Sequence, residues 1–313
     1  MRDFYSAAVI GAGVIGAQMD GPGAAIPLTH AGGYAASGFS LVGLVDPDPA
    51  ARSRAERWGS PVFADFDEMM RSAKPQVLSF AVPAAEQSAL LRRALAYRPL
   101  AVIAEKPLGL SSAEAEPIVR AFREQGIALI VNYTRRFVPA WQRMRGESAI
   151  STTIRYAKGL RHNGTHAIDL CRMLFGECLG TRYLAKKTDY WPDDPTVSAF
   201  LRFERCPEVF LQSLDERCFT LFEADIVAPA SRVVVDSDGR RFRRFEVRDG
   251  VGVPAGKRLV EAGVEDIGNV SAMTGLMQHL RDVLGGAEPL CSGEDAIAAQ
   301  KIAEQIWHER AER

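Results

Sequence analysis

The chain has 313 residues, with 38 Lys and Arg against 39 Asp and Glu for a net charge of -1, and 47% hydrophobic and 25% charged residues. That balance excludes the basic footprint of a nucleic-acid partner or an anionic membrane surface, and no apolar run approaches the roughly 20 residues of a membrane helix. The length fits two ordinary domains. Five scattered cysteines without a C-x-x-C pair argue against a disulfide framework or metal site, so no metal and a cytoplasmic location are expected. The amino terminus enters an apolar run without a basic leader or a small-residue cleavage site, so no signal peptide is expected.

That first run, A-A-V-I at 7–10, reads as a strand buried on both faces. Three glycines follow at G-x-G-x-x-G spacing. Gly11 permits a tight turn, Gly13 lets the backbone approach a pyrophosphate, and Gly16 allows close helix–strand packing. A helix opening here aims its free N–H groups at the phosphates. Residues 41–45 form a second apolar strand ending at Asp46, where a carboxylate can hold a ribose hydroxyl of NAD and repel the extra phosphate of NADP. NADP is admitted only if a downstream arginine such as Arg52 or Arg54 accepts that phosphate. Asp46 lies farther past the glycines than the usual separation of about 20 residues. The excess, residues 19–37, reads as an inserted loop flanking the cofactor mouth.

Residues 50–58 read as a helix with Arg52, Arg54 and Arg57 on its solvated face. Strands follow at 77–82, ending at Pro83; at 101–104, ending at Glu105-Lys106-Pro107; and at 127–131, ending at Asn132. Between them lie a helix at 87–95 and another capped by Ser111, with Glu114 as its capping-box partner. This alternation predicts a doubly wound parallel sheet, whose ligands sit beyond the carboxyl ends of the strands. Asp46, Pro83, Lys106 and Asn132 all fall there.

After Arg136 the rhythm changes. Residues 152–156, 183–187, 197–203, 209–214, 220–227, 232–235 and 241–247 read as strands, many alternating apolar and polar. That pattern predicts a mostly antiparallel sheet with one solvated or partner-covered face. One helix at 165–175 interrupts them, and the tail returns to helix at 270–284 and 294–310.

Several motifs together resemble the Gfo/Idh/MocA (glucose–fructose oxidoreductase / inositol dehydrogenase) family. They are G-A-G-V-I-G from Gly11, V-D-P-D from Val45, E-K-P-L from Glu105, N-Y-T-R-R-F from Asn132, G-T-H-A-I-D-L-C-R-M-L-F-G from Gly164, and L-C-S-G-E-D-A from Leu290. The likeness runs over most of the chain. It implies an α/β protein with a Rossmann domain at 1–132 and an α+β substrate-binding domain at 133–313, whose large open sheet joins copies into a dimer or tetramer. It also implies hydride transfer to or from a hydroxyl of a sugar, nucleotide sugar or related polar substrate.

Carried onto this sequence, the resemblance makes Lys106 the active-site lysine and His166 the general acid/base, with Asp169 on the same helix face. The expected cofactor-binding set is Gly11, Gly13, Val14, Ile15, Gly16, Asp46, Ala81, Val82, Pro83, Gln87, Glu105, Lys106 and Asn132. Lys106, Arg135, Arg136, Asn163 and His166 are the expected substrate contacts. For the two arginines, salt bridges within the fold are an equal alternative, and for Asp169 packing against backbone is one.

Three departures stand out. His162 occupies the place where many members carry an aspartate four residues before the histidine, so it is a further catalytic candidate and an anion-binding one with Arg161. Gln87 replaces a frequent histidine, and the segment after Gly16 is long. The H-N-G-T-H motif is similar to a branch associated with surface-polysaccharide sugars. Two rivals stay open: a tightly held NAD used for transient oxidation in elimination or hydrolysis, and a dinucleotide-binding sensor without catalysis.

Overall fold

A computed structural model describes residues 5–250, 256–268 and 270–312. The first few residues, on which the absence of a leader was read, and Arg313, which closes the second predicted domain, lie outside the described residues. The chain divides into two compact units, Met1–Pro139 with Val270–Ala298, and Ala140–Asn269 with Ala299–Arg313. The predicted boundary at 132/133 places residues 270–298 in the second domain, whereas here they fold with the first.

The first unit holds a six-stranded sheet built from β1 (Ser6–Ile10), β2 (Ser40–Val45), β3 (Val62–Phe63), β4 (Val77–Phe80), β5 (Ala101–Ala104) and β6 (Ala128–Val131). Their order is β3-β2-β1-β4-β5-β6 and every pairing is parallel. Helices α1 (His30–Ala36), α2 (Pro49–Ala55), α3 (Phe66–Ala73), α4 (Ala84–Leu95) and α5 (Ser112–Glu124) form the crossovers. Chain order reverses between β1 and β4, which opens the crevice in which such sheets bind ligands. The central strands are wholly buried, as unbroken apolar runs such as Ala7–Ile10 require.

The sequence passes over β3 and α3, both too short or too polar to stand out. Ser111 caps α5, its Oγ accepting the Glu114 N–H at 3.2 Å. The Glu114 carboxylate returns to Leu110 N–H at 2.8 Å rather than to that of Ser111.

Two expectations near the glycines need correction. A single π-turn, Val14–Gln18, which contains Gly16, stands where a helix was expected to open. The segment 19–37 is not all loop, because its second half is α1. Asp20 closes the loop at its neck, accepting the N–H groups of Leu28 (2.5 Å) and Thr29 (3.1 Å). Thr29 then caps α1 through Gly32 N–H at 3.0 Å. Gly33 falls in the segment read as loop, yet it is a contact point inside the helix. A Cβ there would stand 2.6 Å from Met273 Cγ. That methionine belongs to α8 (Ala272–Leu284), introduced below α1 by the returning tail.

The tail is secured to the first unit at several points. Arg281 donates to Ser37 O (2.5 Å) and Gly38 O (2.9 Å), and Val131 N–H reaches Cys291 O at 2.9 Å. These long-range bonds leave no trace in local sequence pattern.

The second unit begins in the single helical turn α6 (Pro139–Gln142). Its sheet holds β7 (Ser151–Tyr156), β8 (Cys178–Trp191), β9 (Asp194–Phe203), β10 (Cys206–Ser213), β11 (Phe222–Val227), β12 (Ser231–Asp236), β13 (Arg241–Asp249) and β14 (Lys257–Asp266). The order is β14-β13-β12-β11-β7-β10-β9-β8, antiparallel except for β7 with β10. The exposed strand β14 carries charges among its apolar residues and was not legible as a strand. One face of the sheet buries Ile154, Tyr156, Val197, Ala199, Leu201, Val209 and Leu211. Helix α7 (Thr165–Phe175) is buried along much of its length, as a helix covering a sheet must be. Helix α9 (Gly293–Glu309) begins in the first unit and ends in the second.

Candidate active site

In the first unit the predicted cofactor residues gather at the carboxyl ends of β1, β2, β4, β5 and β6. The three glycines have different duties. Gly11 has φ +90°, and a Cβ on it would lie 2.3 Å from Ala81 O; at Gly16 a Cβ would lie 1.8 Å from Gly11 O. Around Gly13 there is nothing within 4 Å of an added Cβ. Gly11 and Gly16 are therefore required by the fold itself, while the space at Gly13 is the close approach a pyrophosphate needs. Val14 and Ile15 are 62% and 40% exposed beside that space, unusual for apolar residues opening a helical turn.

Asp46, half-buried at the tip of β2, accepts Ala12 N–H at 2.8 Å and Asp48 N–H at 2.9 Å. These bonds fix the carboxylate against the glycine turn, with lone pairs remaining for a ribose diol. Arg52 donates to Asp46 O (3.0 Å) and Pro47 O (2.8 Å), and Arg54 to Gln18 Oε1 (3.1 Å). Arg52 thus holds the loop behind the carboxylate, and Arg54 reaches the turn that carries Gly16. The open space, the aimed carboxylate and the exposed apolar pair fit a dinucleotide.

Beyond β5 the Glu105-Lys106-Pro107 segment, with a cis Lys106-Pro107 bond, is held from three sides. Gln87 Nε2 donates to Glu105 O (2.5 Å) and Pro107 O (2.8 Å) from below. Asn132 Nδ2 donates to Glu105 Oε1 at 2.6 Å. The fully buried His30 brings Nε2 to the same oxygen at 3.1 Å. Burial works against the charge of Glu105, but the bonds from His30 and Asn132 and the nearby Lys106 outweigh it and hold the carboxyl below its usual range. Gln87 therefore braces the backbone on either side of Lys106, while Asn132 and His30 hold the Glu105 side chain. His30 was not singled out by the sequence; its only signal was Thr29-His30 inside the long segment after Gly16.

Arg136 is buried, donating to Leu290 O (2.6 Å) and pairing with Asp295 (3.3 Å). This favours the salt-bridge alternative for Arg136 over the substrate one. Arg135, next to it, is half-buried.

In the second unit, His162, Asn163, His166 and Asp169 lie on one helical path formed by a π-turn (Leu160–Gly164) and α7. Asn163 Nδ2 donates to Ala157 O at 2.9 Å, closing the turn. His166 is half-buried and Asp169 is buried. His162 is half-exposed and pairs through Nδ1 with Asp194 at 2.8 Å, its ring stacked on Trp191 at 4.8 Å between centroids. Asp194 and Trp191 were missed, being about 30 residues downstream with no local motif to mark them. Among the described residues no group of His, Cys, Asp and Glu could hold a metal ion. All five cysteines are free thiols.

Residues 5–133 match the model of the Gfo/Idh/MocA oxidoreductase family, NAD-binding Rossmann fold. Over those residues the chain is similar to the NAD-binding domain of that family. No curated protein matches the chain by sequence. Among solved structures, levoglucosan dehydrogenase in complex with NADH aligns over 99% of this chain and 98% of its own, with 16% identity and a TM-score of 0.78. UDP-N-acetylglucosamine 3-dehydrogenase from Acidithiobacillus ferrooxidans aligns over 97% of each chain, with 17% identity and a TM-score of 0.75. A dehydrogenase from Bordetella pertussis in complex with NADH and UDP-GlcNAcA aligns over 98% of this chain and 97% of its own, with 16% identity and a TM-score of 0.74. These likenesses run over both units and show a shared fold. No helix among the described residues is long and apolar enough to cross a membrane.

Proposed function

We propose that this protein is an NAD-dependent dehydrogenase or reductase of the Gfo/Idh/MocA type, acting on a hydroxyl or ketone carbon of a sugar, nucleotide sugar or related polar substrate. The observation that carries the reading is the bracing of Glu105-Lys106-Pro107 by His30, Gln87 and Asn132 at the mouth of a glycine turn with open space at Gly13. Such bracing spends three side chains on the orientation of one short segment, as a site that must position a reacting group does.

Bound NAD supplies the hydride acceptor in oxidation, or the donor in reduction. Asp46 selects it over NADP by repelling a 2′-phosphate. Lys106 polarises the reacting oxygen and holds the carbon in line. His166 takes the hydroxyl proton in oxidation and returns it in reduction, a task imidazole performs near neutral pH. Arg135 serves a charged part of the substrate.

Assembly of copies through the second sheet belongs to the same reading. Its support is Phe210, 39% exposed and edge-on to Phe200 at 5.1 Å. A cytoplasmic location is supported by the free thiols.

The test is a panel of neutral and charged sugars and nucleotide sugars with NAD and NADP, followed by absorbance of the reduced nicotinamide. Turnover with NAD that falls at least roughly 100-fold in Lys106→Ala, with NAD binding kept, is expected. NAD that stays bound through purification without bulk turnover would instead indicate transient oxidation, and NAD binding without any reaction a sensor.

A further inference from the structure

The hairpin joining β8 to β9 turns in two residues, Pro192 and Asp193, and sets Trp191 opposite Asp194. Asp194 is nearly buried, its side chain 3% exposed. Its Oδ1 accepts Arg161 N–H at 2.9 Å, while Oδ2 accepts His162 N–H at 2.9 Å and faces His162 Nδ1 at 2.8 Å. The turn can wrap Asp194 this closely because Gly159 has φ +84° and no Cβ, which would stand 2.2 Å from Asp194 Oδ2. Trp191 lies 18° from parallel with the imidazole and fixes the ring plane.

A ring held with Nδ1 on a carboxylate carries its proton there and leaves Nε2, on the opposite edge, as the basic nitrogen. The His162 side chain is 50% exposed, so the pair combines a buried anchor with a solvent-reaching ring. Charges near the ring include Arg161, whose Nε lies 3.6 Å from Asp194, and Asp193 beside Arg161. Burial works against the charge of Asp194, but the His162 ring and the two backbone N–H groups outweigh it and keep the carboxyl below its usual range.

We infer that Asp194 is a positioning residue acting through His162, and that this pair passes the reaction's proton between the site and solvent. The inference rests on the dehydrogenase reading above. His162 precedes His166 by four residues on a continuous helical path, which puts both on one face. In oxidation the substrate C–H electron pair leaves as hydride to NAD, and the O–H proton goes to His166. From there it moves to His162 and then to water, so one hydride and one proton leave the substrate as the carbonyl forms. Reduction runs the same path inward.

The experiment uses the full chain as wild type, Asp194→Asn, His162→Gln and the double variant. It records thermal unfolding, kcat/KM against pH, and the nitrogen resonances of labelled histidine, with His162 assigned by its loss in His162→Gln. In wild type the neutral His162 should carry its proton on Nδ1. Asp194→Asn should change that tautomer balance and lower kcat/KM roughly 10–100-fold.

In the His162→Gln background the same substitution should cost no further activity, since a double-mutant cycle isolates what passes through the pair. An equal loss in both backgrounds, or an unchanged tautomer balance in Asp194→Asn, assigns Asp194 to loop structure and overturns the inference. A wild-type ring protonated on Nε2 when neutral overturns the pairing by itself. If wild type turns over no substrate in the panel, the dehydrogenase reading fails and the proton path with it, while the tautomer measurement still decides the pairing.

Discussion

Replacing Gly13 by alanine should raise stability and weaken cofactor binding at once, a combination that separates a ligand-driven glycine from a fold-driven one. Gly13 has φ -75° and ψ -157°, a backbone that alanine adopts without strain. Nothing lies within 4 Å of the added Cβ. Gly→Ala at such a position stabilises by about 0.4–1 kcal/mol by restricting the unfolded chain. The same methyl takes the space the pyrophosphate needs, so NAD affinity should fall at least roughly tenfold, or about 1.4 kcal/mol, and further in Gly13→Val. Gly16→Ala is the control. Its Cβ would stand 1.8 Å from Gly11 O, so the turn must deform, at about 1–3 kcal/mol or more. The assay pairs thermal unfolding without cofactor with fluorescence titration by NADH. Gly13→Ala binding NADH like wild type, or losing as much stability as Gly16→Ala, would refute the reasoning.

Three further outcomes are expected. Asp46→Asn should weaken NAD about tenfold and narrow its advantage over NADP, since the fixed carboxylate is lost while Arg52 still holds the loop; parallel titration with both cofactors reads this. His30→Ala should destabilise the first unit by about 2–4 kcal/mol, because it removes a fully buried ring and a partner of the Glu105 carboxylate. Denaturant unfolding measures the loss, and an effect below about 0.5 kcal/mol would show that Asn132 and Lys106 alone hold Glu105. His279, buried in α8 and accepting Leu290 N–H at 2.8 Å through Nε2, is pushed by burial to a lower pKa than in the unfolded chain. The unfolded state therefore binds the proton first, and stability should be complete above about pH 6.5 and decline as pH falls below it. His279→Gln should flatten that part of the unfolding profile, and an unchanged slope would exclude this histidine as its source.

The order of elements was legible because a buried parallel strand is an apolar run and its end is a turn. Gly11, Asp46, Lys106 and Asn132 announce themselves by position alone, at the tips of such runs. His166 stands in a helix whose boundaries, 165 to 175, follow from its apolar spacing and Gly176. What failed locally failed for tertiary reasons. Residues 19–37 read as loop until Met273, some 240 residues beyond Gly33, supplies the surface on which a helix with glycine at that point packs. Arg136 reads equally as a substrate contact or a structural cation until Leu290 and Asp295 arrive beside it.

The sequence by itself determined the fold class, the cofactor turn and the strand-end residues, because these depend on periodicity and on the backbone freedom of glycine. Only the tertiary structure decided that His30 closes on Glu105, that residues 270–298 return to the first unit, and that Asp194 stands behind His162. A carboxylate 32 residues from the imidazole it orients leaves no mark in local pattern, since hydrogen bonding depends on distance in space and not on separation along the chain.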